Sequence, residues 1–245
     1  MIKFFRHIRQ NLIMENKTSK YFKYAIGEIV LVVVGILIAL SINTWNEQKK
    51  IKEKERQILT GIVSDLKFSL EDFDRVINKR TNNLNRTIYS IKTLIEVLET
   101  NQKYHDSLGY YFRAANAYDM VDFKISGYQS LISIGTDLIE DPEIRSSIGQ
   151  FYSSTITNIK GDFEEVHMDF YSYMIDYYRK YFITVLDSTN IDALKPNDFE
   201  ALKKDKEYIQ SLKAFLSVNV TYLETLNKTQ KEAEQLKENI ENYLE

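Results

Sequence analysis

The chain has 245 residues, enough for one core-forming domain beside a membrane segment. It has no cysteine, which excludes disulfides, thiolate metal sites and cysteine nucleophiles. Its 8 glycines and 2 prolines are few, which argues against a turn-rich all-β fold and in favour of long helices.

Charge is divided unevenly along the chain. Residues 1–24 carry six basic side chains and one acidic one, whereas residues 47–245 carry 26 basic and 33 acidic ones. An acidic domain is a poor nucleic-acid binder, because phosphate contacts need clustered lysine and arginine. The basic tail suits an anionic lipid surface. We therefore expect a lipid bilayer, and no nucleic acid, among the partners.

Residues 1–18 have the pattern of a basic amphipathic helix lying in the lipid interface. Arg6 and Arg9 lie opposite apolar side chains that recur at helical spacing, namely Met1, Phe5, Ile8 and Leu12. The alternative is a solvated tail that folds only loosely.

Residues 19–46 predict one transmembrane helix. From Ile29 to Leu40 every residue is apolar or glycine, and the 21 residues Ala25–Trp45 would span roughly 31 Å as a helix. A cleaved signal peptide is the alternative, because Ala39-Leu-Ser41 has the small-residue spacing of a cleavage site. The long apolar run, followed by the interfacial Trp45, favours a retained signal anchor.

Three residues of this span are candidates for contact with another membrane helix: Glu28, Gly35 and Ala39. A carboxylate inside the apolar boundary costs free energy and needs a partner, while Gly35-x-x-x-Ala39 allows close helix packing. For Glu28 the alternatives are a side chain that reaches the interface, or a role in ion translocation.

The distribution of basic residues leaves the orientation open, since Lys49–Arg56 is almost as basic as the tail. The tail charge is nearly unopposed, whereas Glu47, Glu53 and Glu55 interrupt the downstream segment. We therefore expect a cytoplasmic amino terminus and periplasmic residues 47–245, in a bacterial inner membrane.

Several segments of the chain have a distinctive sequence. They are Met1–Arg6, Glu15–Lys17, Tyr24–Glu28, Gly35–Leu40, Ile42–Glu47 and, more loosely, Ser126–Leu131, Glu143–Arg145 and Phe151-Tyr152. Together they closely resemble the amino-terminal part of an uncharacterised Bacteroidota-type family of single-span membrane proteins that carry a domain of unknown function. The resemblance is specific over about the first 50 residues and looser beyond them. It implies an envelope protein of a Gram-negative cell, and it implies no activity.

Residues 47–245 carry apolar residues at steps of three, four or seven, which predicts helices with one apolar face. We expect a stalk helix over 47–100, an irregular cap over 101–141, and long helices over 142–187 and 198–245. Asp141-Pro142-Glu143 and Pro196-Asn-Asp198 are the helix starts. The predicted fold is all-α: a transmembrane helix followed by an elongated antiparallel bundle with a stalk, with coiled-coil pairing at its carboxyl-terminal end.

The aromatic segment Phe170–Phe182 contains three tyrosines that lie partly off the apolar stripe: Tyr171, Tyr173 and Tyr178. Exposed tyrosine beside Arg179 and Lys180 suits a partner contact. Core packing is the alternative for each of them.

Candidate catalytic and metal patterns are weak. Glu164-x-x-His167 has the spacing of a di-iron ligand pair but lacks a second pair, and Asp137–Glu143 lacks the spacing of a calcium loop. No phosphate loop, nucleophile elbow or kinase signature occurs. We therefore expect no catalytic residues, no metal and no cofactor.

The sequence thus favours a non-enzymatic, membrane-anchored scaffold that binds envelope proteins or a second copy of itself. The alternative is a ligand-sensing extracytoplasmic bundle coupled to the span, which the short amino-terminal tail does not favour. A carboxylate- and tyrosine-based enzyme is a third possibility that no residue constellation supports.

Overall fold

The computed structural model describes residues 18–79, 83–183 and 193–245. The tail predicted to be amphipathic lies outside them, apart from Thr18. The fold is all-α, as predicted, with one short antiparallel strand pair. The helices are α1 (Thr18–Asp74), α2 (Leu84–Glu99), α3 (Leu108–Ala115), α4 (Ser126–Ile134), α5 (Pro142–Gln150), α6 (Ile156–Asp169), α7 (Ile175–Tyr181), α8 (Phe199–Lys204) and α9 (Lys206–Leu244); the strands are β1 (Phe182–Ile183) and β2 (Lys195–Pro196).

The chain divides into two compact units, Met1–Glu55 and Arg56–Glu245. The predicted boundary lies earlier, between residues 46 and 47. The difference has a simple physical reason, because the side chains of residues 47–54 are exposed and none belongs to a hydrophobic core.

In the second unit, α9 runs antiparallel to the helical stretch that contains α5, α6 and α7. Near one end Thr155 donates a hydrogen bond to Glu232 (3.0 Å), and at the other end Tyr181 donates to Asp205 (2.5 Å). The two helices α2 and α9 are also in contact, and Lys213 forms an ion pair with Glu99 (2.6 Å). Helix α9 therefore contributes to the core along its whole length.

The predicted apolar stripes are buried or half-buried wherever the structure describes them, which confirms the helical interpretation. They form two clusters. One joins α1, α4, α5 and the end of α9, and the other joins the last turn of α1 (at Phe73), α2, α3, α6, α7, α8 and the first half of α9. The largest fully buried side chains are Leu59, Ile62, Leu66, Phe73, Ile91, Leu94, Leu108, Phe112, Leu131, Tyr208, Phe215 and Tyr222.

Capping side chains explain where several helices begin. Asp141 accepts hydrogen bonds from the N–H groups of Glu143 (2.8 Å) and Ile144 (2.9 Å), so α5 begins at Pro142 as predicted. The predicted helix over 198–245 is instead two helices. Asp198 caps α8, which ends at Lys204. The helical conformation is interrupted at Asp205, and Asp205 caps α9.

Within the described residues, π-helical turns occur after the end of α1 at Arg75–Lys79 and between the helices α5, α6 and α7 at Phe151–Thr155 and Phe170–Met174. A π turn adds one residue to a helical turn and so rotates the following side chains around the axis. The predicted irregular cap contains α3, α4 and a 3₁₀ turn at Thr136–Leu138, which are joined by short loops.

Candidate functional site

The apolar part of α1 is the first candidate site. By length and composition it is the one helix in the described part of the chain that could cross a membrane, and its most apolar stretch is entirely unburied. All of residues 29–40 are exposed, including their large aliphatic side chains. Such a surface is unfavourable in water and favourable in hydrocarbon.

Glu28, Gly35 and Ala39 share one face of α1, because steps of seven and eleven residues return to nearly the same side of a helix. Glu28 is half-exposed, and Gly35 and Ala39 are exposed. A Cβ atom placed on Gly35 would meet nothing within 4 Å, so this face can admit a closely packed helix. A shallow depression of about 350 Å³ lies beside Glu28 and is lined by Ala25, Ile29, Val32 and Val33.

An aromatic cluster on the second unit is the second candidate. Tyr118 comes from the loop after α3 and lies among rings of α6 and of the Phe170–Met174 turn, with ring centroids 4.9–6.3 Å away. Its hydroxyl donates a hydrogen bond to the Tyr171 hydroxyl (2.9 Å). That hydrogen bond, with a smaller effect of burial, raises the pKa of Tyr118 to about 12. The other rings are Phe163, His167, Phe170 and Tyr171.

The three predicted contact tyrosines differ in environment. Tyr171 and Tyr173 are 51% and 58% exposed, and Tyr171 belongs to the aromatic cluster. Tyr178 is half-buried and packs against Phe182 (6.2 Å between centroids). The structure therefore does not place Tyr178 with Tyr171. Tyr118 could not be recognised from the sequence, since it lies in an irregular segment.

Among the residues that the structure describes, no group of three or more carboxylate and histidine side chains could hold a metal ion. His167 is half-buried and its ring packs on Tyr171 (4.6 Å between centroids). Two buried carboxylates of α1 instead accept hydrogen bonds from the loop before α4 and from the first residues of α4. Asp72 accepts from the N–H of Asp122 (2.8 Å), and Asp65 accepts from Ser126 and Gly127.

An open groove of about 630 Å³ lies beside Asp65. Both acidic and basic side chains line it. The ammonium of Lys124 lies 3.9 Å from the centre of the Phe68 ring. Its lining residues are Ser64, Asp65, Lys67, Phe68, Glu71, Lys124, Ile125 and Ser126.

These features define a helical-bundle protein in which the described residues include one candidate membrane helix. Residues 28–152, slightly more than half of the chain, match the family of unknown function DUF6090, and the chain belongs to that family. The match runs from Glu28 in α1 to Tyr152, and so includes the apolar run, α2, α3, α4 and α5. No curated protein and no solved structure matches the chain.

Proposed function

We propose that this protein is a non-enzymatic, membrane-anchored scaffold of the bacterial cell envelope. The exposed apolar run of α1 is the observation that carries the proposal. Leaving a large aliphatic side chain in water forgoes about 1.5–3 kcal/mol, and ten of the twelve residues 29–40 are isoleucine, valine or leucine. A bilayer removes this cost, so the run acts as a retained signal anchor.

In this proposal the anchor spans the inner membrane of a Bacteroidota-type cell once. The amino terminus is cytoplasmic and residues 47–245 are periplasmic, in agreement with the resemblance of the first 50 residues. Protease treatment of spheroplasts tests the orientation. The second unit should be digested from outside, and its survival in intact spheroplasts would overturn this topology.

Membrane attachment has a direct test. The full chain should stay in the pellet after carbonate washing of membranes. Release into the supernatant, or a mature chain that begins near Ile42, would contradict the anchor.

The face of α1 that contains Glu28, Gly35 and Ala39 is the proposed contact with a second membrane helix. Because the chain lacks cysteine, single-cysteine variants report helix contacts cleanly. Gly35→Cys should form a disulfide-linked dimer in membranes if the partner is a second copy. Leu37→Cys lies on the opposite side of the helix and is the matched control. Equal crosslinking of both variants would contradict a specific dimer face.

Tyr171 and Tyr173 are the proposed contacts with an envelope protein, since exposed tyrosines are favoured at interfaces. Crosslinking in intact cells, followed by purification, should recover a partner with the wild-type chain. The double change Tyr171→Ser and Tyr173→Ser should reduce that recovery at least fivefold, and Tyr89→Ser on α2, at 60% exposure, is the control. Recovery of the monomer alone would contradict the scaffold.

A ligand-sensing bundle is the weaker candidate. A sensor needs an enclosed cavity with converging polar groups. The groove beside Asp65 has the polar groups, but it is open to solvent. A scaffold requires only exposed surfaces, which this structure has.

A further inference from the structure

The Asp65 carboxylate fastens α4 to α1. Asp65 is 5% exposed, and its oxygens accept hydrogen bonds from the Ser126 hydroxyl (2.8 and 3.0 Å) and the Gly127 N–H (2.6 Å). The Gly127 N–H belongs to the first turn of α4, where no partner within the helix exists. A residue of one helix therefore caps another.

The two helices touch backbone to backbone at this place. A Cβ atom on Gly127 would lie 2.7 Å from the backbone nitrogen of Ile62 and 2.9 Å from the carbonyl carbon of Gly61. Only glycine permits this approach. Leu131, one turn further along α4, is fully buried in the same cluster as Ile62.

Tyr152 lies beside this contact and has an unusual hydroxyl. Tyr152 is 7% exposed, its ring stacks on Tyr128 of α4 (4.6 Å between centroids), and its hydroxyl has no hydrogen-bond partner among the described residues. Burial raises the pKa of Tyr152, and the nearby charge of Asp65 raises it further, so the phenol stays a donor. Buried polar groups are normally paired, so this exception needs a physical reason.

We propose that α4 is a two-state latch on α1, in which Asp65 exchanges one set of donors for another. In the closed state described above, Asp65 holds Ser126 and Gly127. In the open state α4 has moved away, and Asp65 accepts a hydrogen bond from the Tyr152 hydroxyl. The exchange keeps the carboxylate paired in both states, which lowers the cost of opening.

Opening changes the surface of the bundle. It uncovers Leu131 and the α1 surface at Ile62, both of which are buried in the closed state. The latch therefore controls access to an apolar surface. The inference does not depend on the proposed scaffold function, because it concerns one contact within the second unit.

Thermal unfolding of the full chain in lipid nanodiscs tests the latch. In the wild-type background, Tyr152→Phe should raise the midpoint by about 2–4 °C, since it removes an unpaired buried hydroxyl. In a Gly127→Ala background, where the added Cβ prevents α4 from docking, the same change should lower the midpoint by a similar amount. An unchanged or raised midpoint there would overturn the proposal, because the hydroxyl would then be unbound in the open state.

Hydrogen exchange provides a second measurement should Gly127→Ala fail to fold. Ser126→Ala should speed amide exchange in residues 122–134 roughly fivefold to tenfold and leave residues 208–226 unchanged. Equal exchange rates of the two segments, in both the wild-type chain and Ser126→Ala, would show that α4 does not open separately and would overturn the latch.

Discussion

The side chain of Asp205 joins the end of α7 to the start of α9 by hydrogen bonds. It caps α9 by accepting from the N–H of Tyr208 (3.0 Å), and it accepts from the Tyr181 hydroxyl (2.5 Å) and the Lys180 ammonium (3.1 Å) at the end of α7. Burial alone would raise the pKa of Asp205. The hydrogen bonds from Tyr181, Tyr208 and Lys180 outweigh that effect and lower the pKa to about 2.

The lowered pKa predicts an acid-sensitive contribution to stability. The charged carboxylate of Asp205 stabilises the folded state above its unfolded pKa near 4, and this stabilisation is lost as the pH falls towards 2. The loss should be on the order of 1–2 kcal/mol, reduced by partial solvent access. Urea unfolding in micelles, compared with Asp205→Asn, checks it. A constant difference between the two proteins from pH 5 to pH 2 would contradict the prediction.

Truncation of the same side chain gives a second prediction. Asp205→Ala should lower the free energy of unfolding by about 2–3 kcal/mol, since it removes a helix cap and leaves the Tyr181 hydroxyl without its acceptor. Asp198→Ala is the matched control. Asp198 caps α8 through the N–H of Ala201 (2.9 Å), so its loss should cost only about 1 kcal/mol. Equal losses in urea unfolding would count against the role of Tyr181.

At the scale of helices, two glycines with different surroundings give opposite predictions. Gly161 lies inside α6, and a Cβ atom there would meet nothing within 4 Å. Gly161→Ala should therefore stabilise the protein by about 0.5–1 kcal/mol through helix propensity. Gly127→Ala should destabilise it, because the methyl group collides with the backbone of α1. Thermal unfolding distinguishes the two, and stabilisation by both changes would contradict the close contact.

The helices could be predicted from the sequence where the cause is local. The start of α5 follows from Asp141 and Pro142, and the apolar stripes follow from helical periodicity. The break at Asp205 was not predicted. Its cap on the N–H of Tyr208 is local, but its contacts with Tyr181 and Lys180 join residues 24 and 25 positions apart and cannot be read from a local pattern. Local pattern specifies helices, whereas contacts between helices specify where they are interrupted.

The same distinction holds for the candidate sites: residues placed by spacing along one helix could be predicted, and residues placed by contacts between helices could not. Glu28, Gly35 and Ala39 share a face because spacing along one helix is enough to place them there. Tyr171 and Tyr178 do not share surroundings. The π turn at Phe170–Met174 rotates Tyr178 around the helix axis relative to Tyr171. The role of Asp65 was also missed, since a buried carboxylate on an amphipathic helix resembles any solvated one until its partner helix is known.

For the whole molecule, the division at residues 55 and 56 predicts a separable domain. Among the described residues, the buried apolar side chains begin at Leu59, so a fragment of residues 56–245 retains both hydrophobic clusters. It should be soluble, helical by circular dichroism and cooperative in thermal unfolding. A fragment of residues 75–245 is the control, and it should fail to fold because it lacks Leu59, Ile62, Leu66 and Phe73. Cooperative unfolding of the shorter fragment, or aggregation of the longer one, would show that the core does not depend on residues 56–74 as the burial indicates.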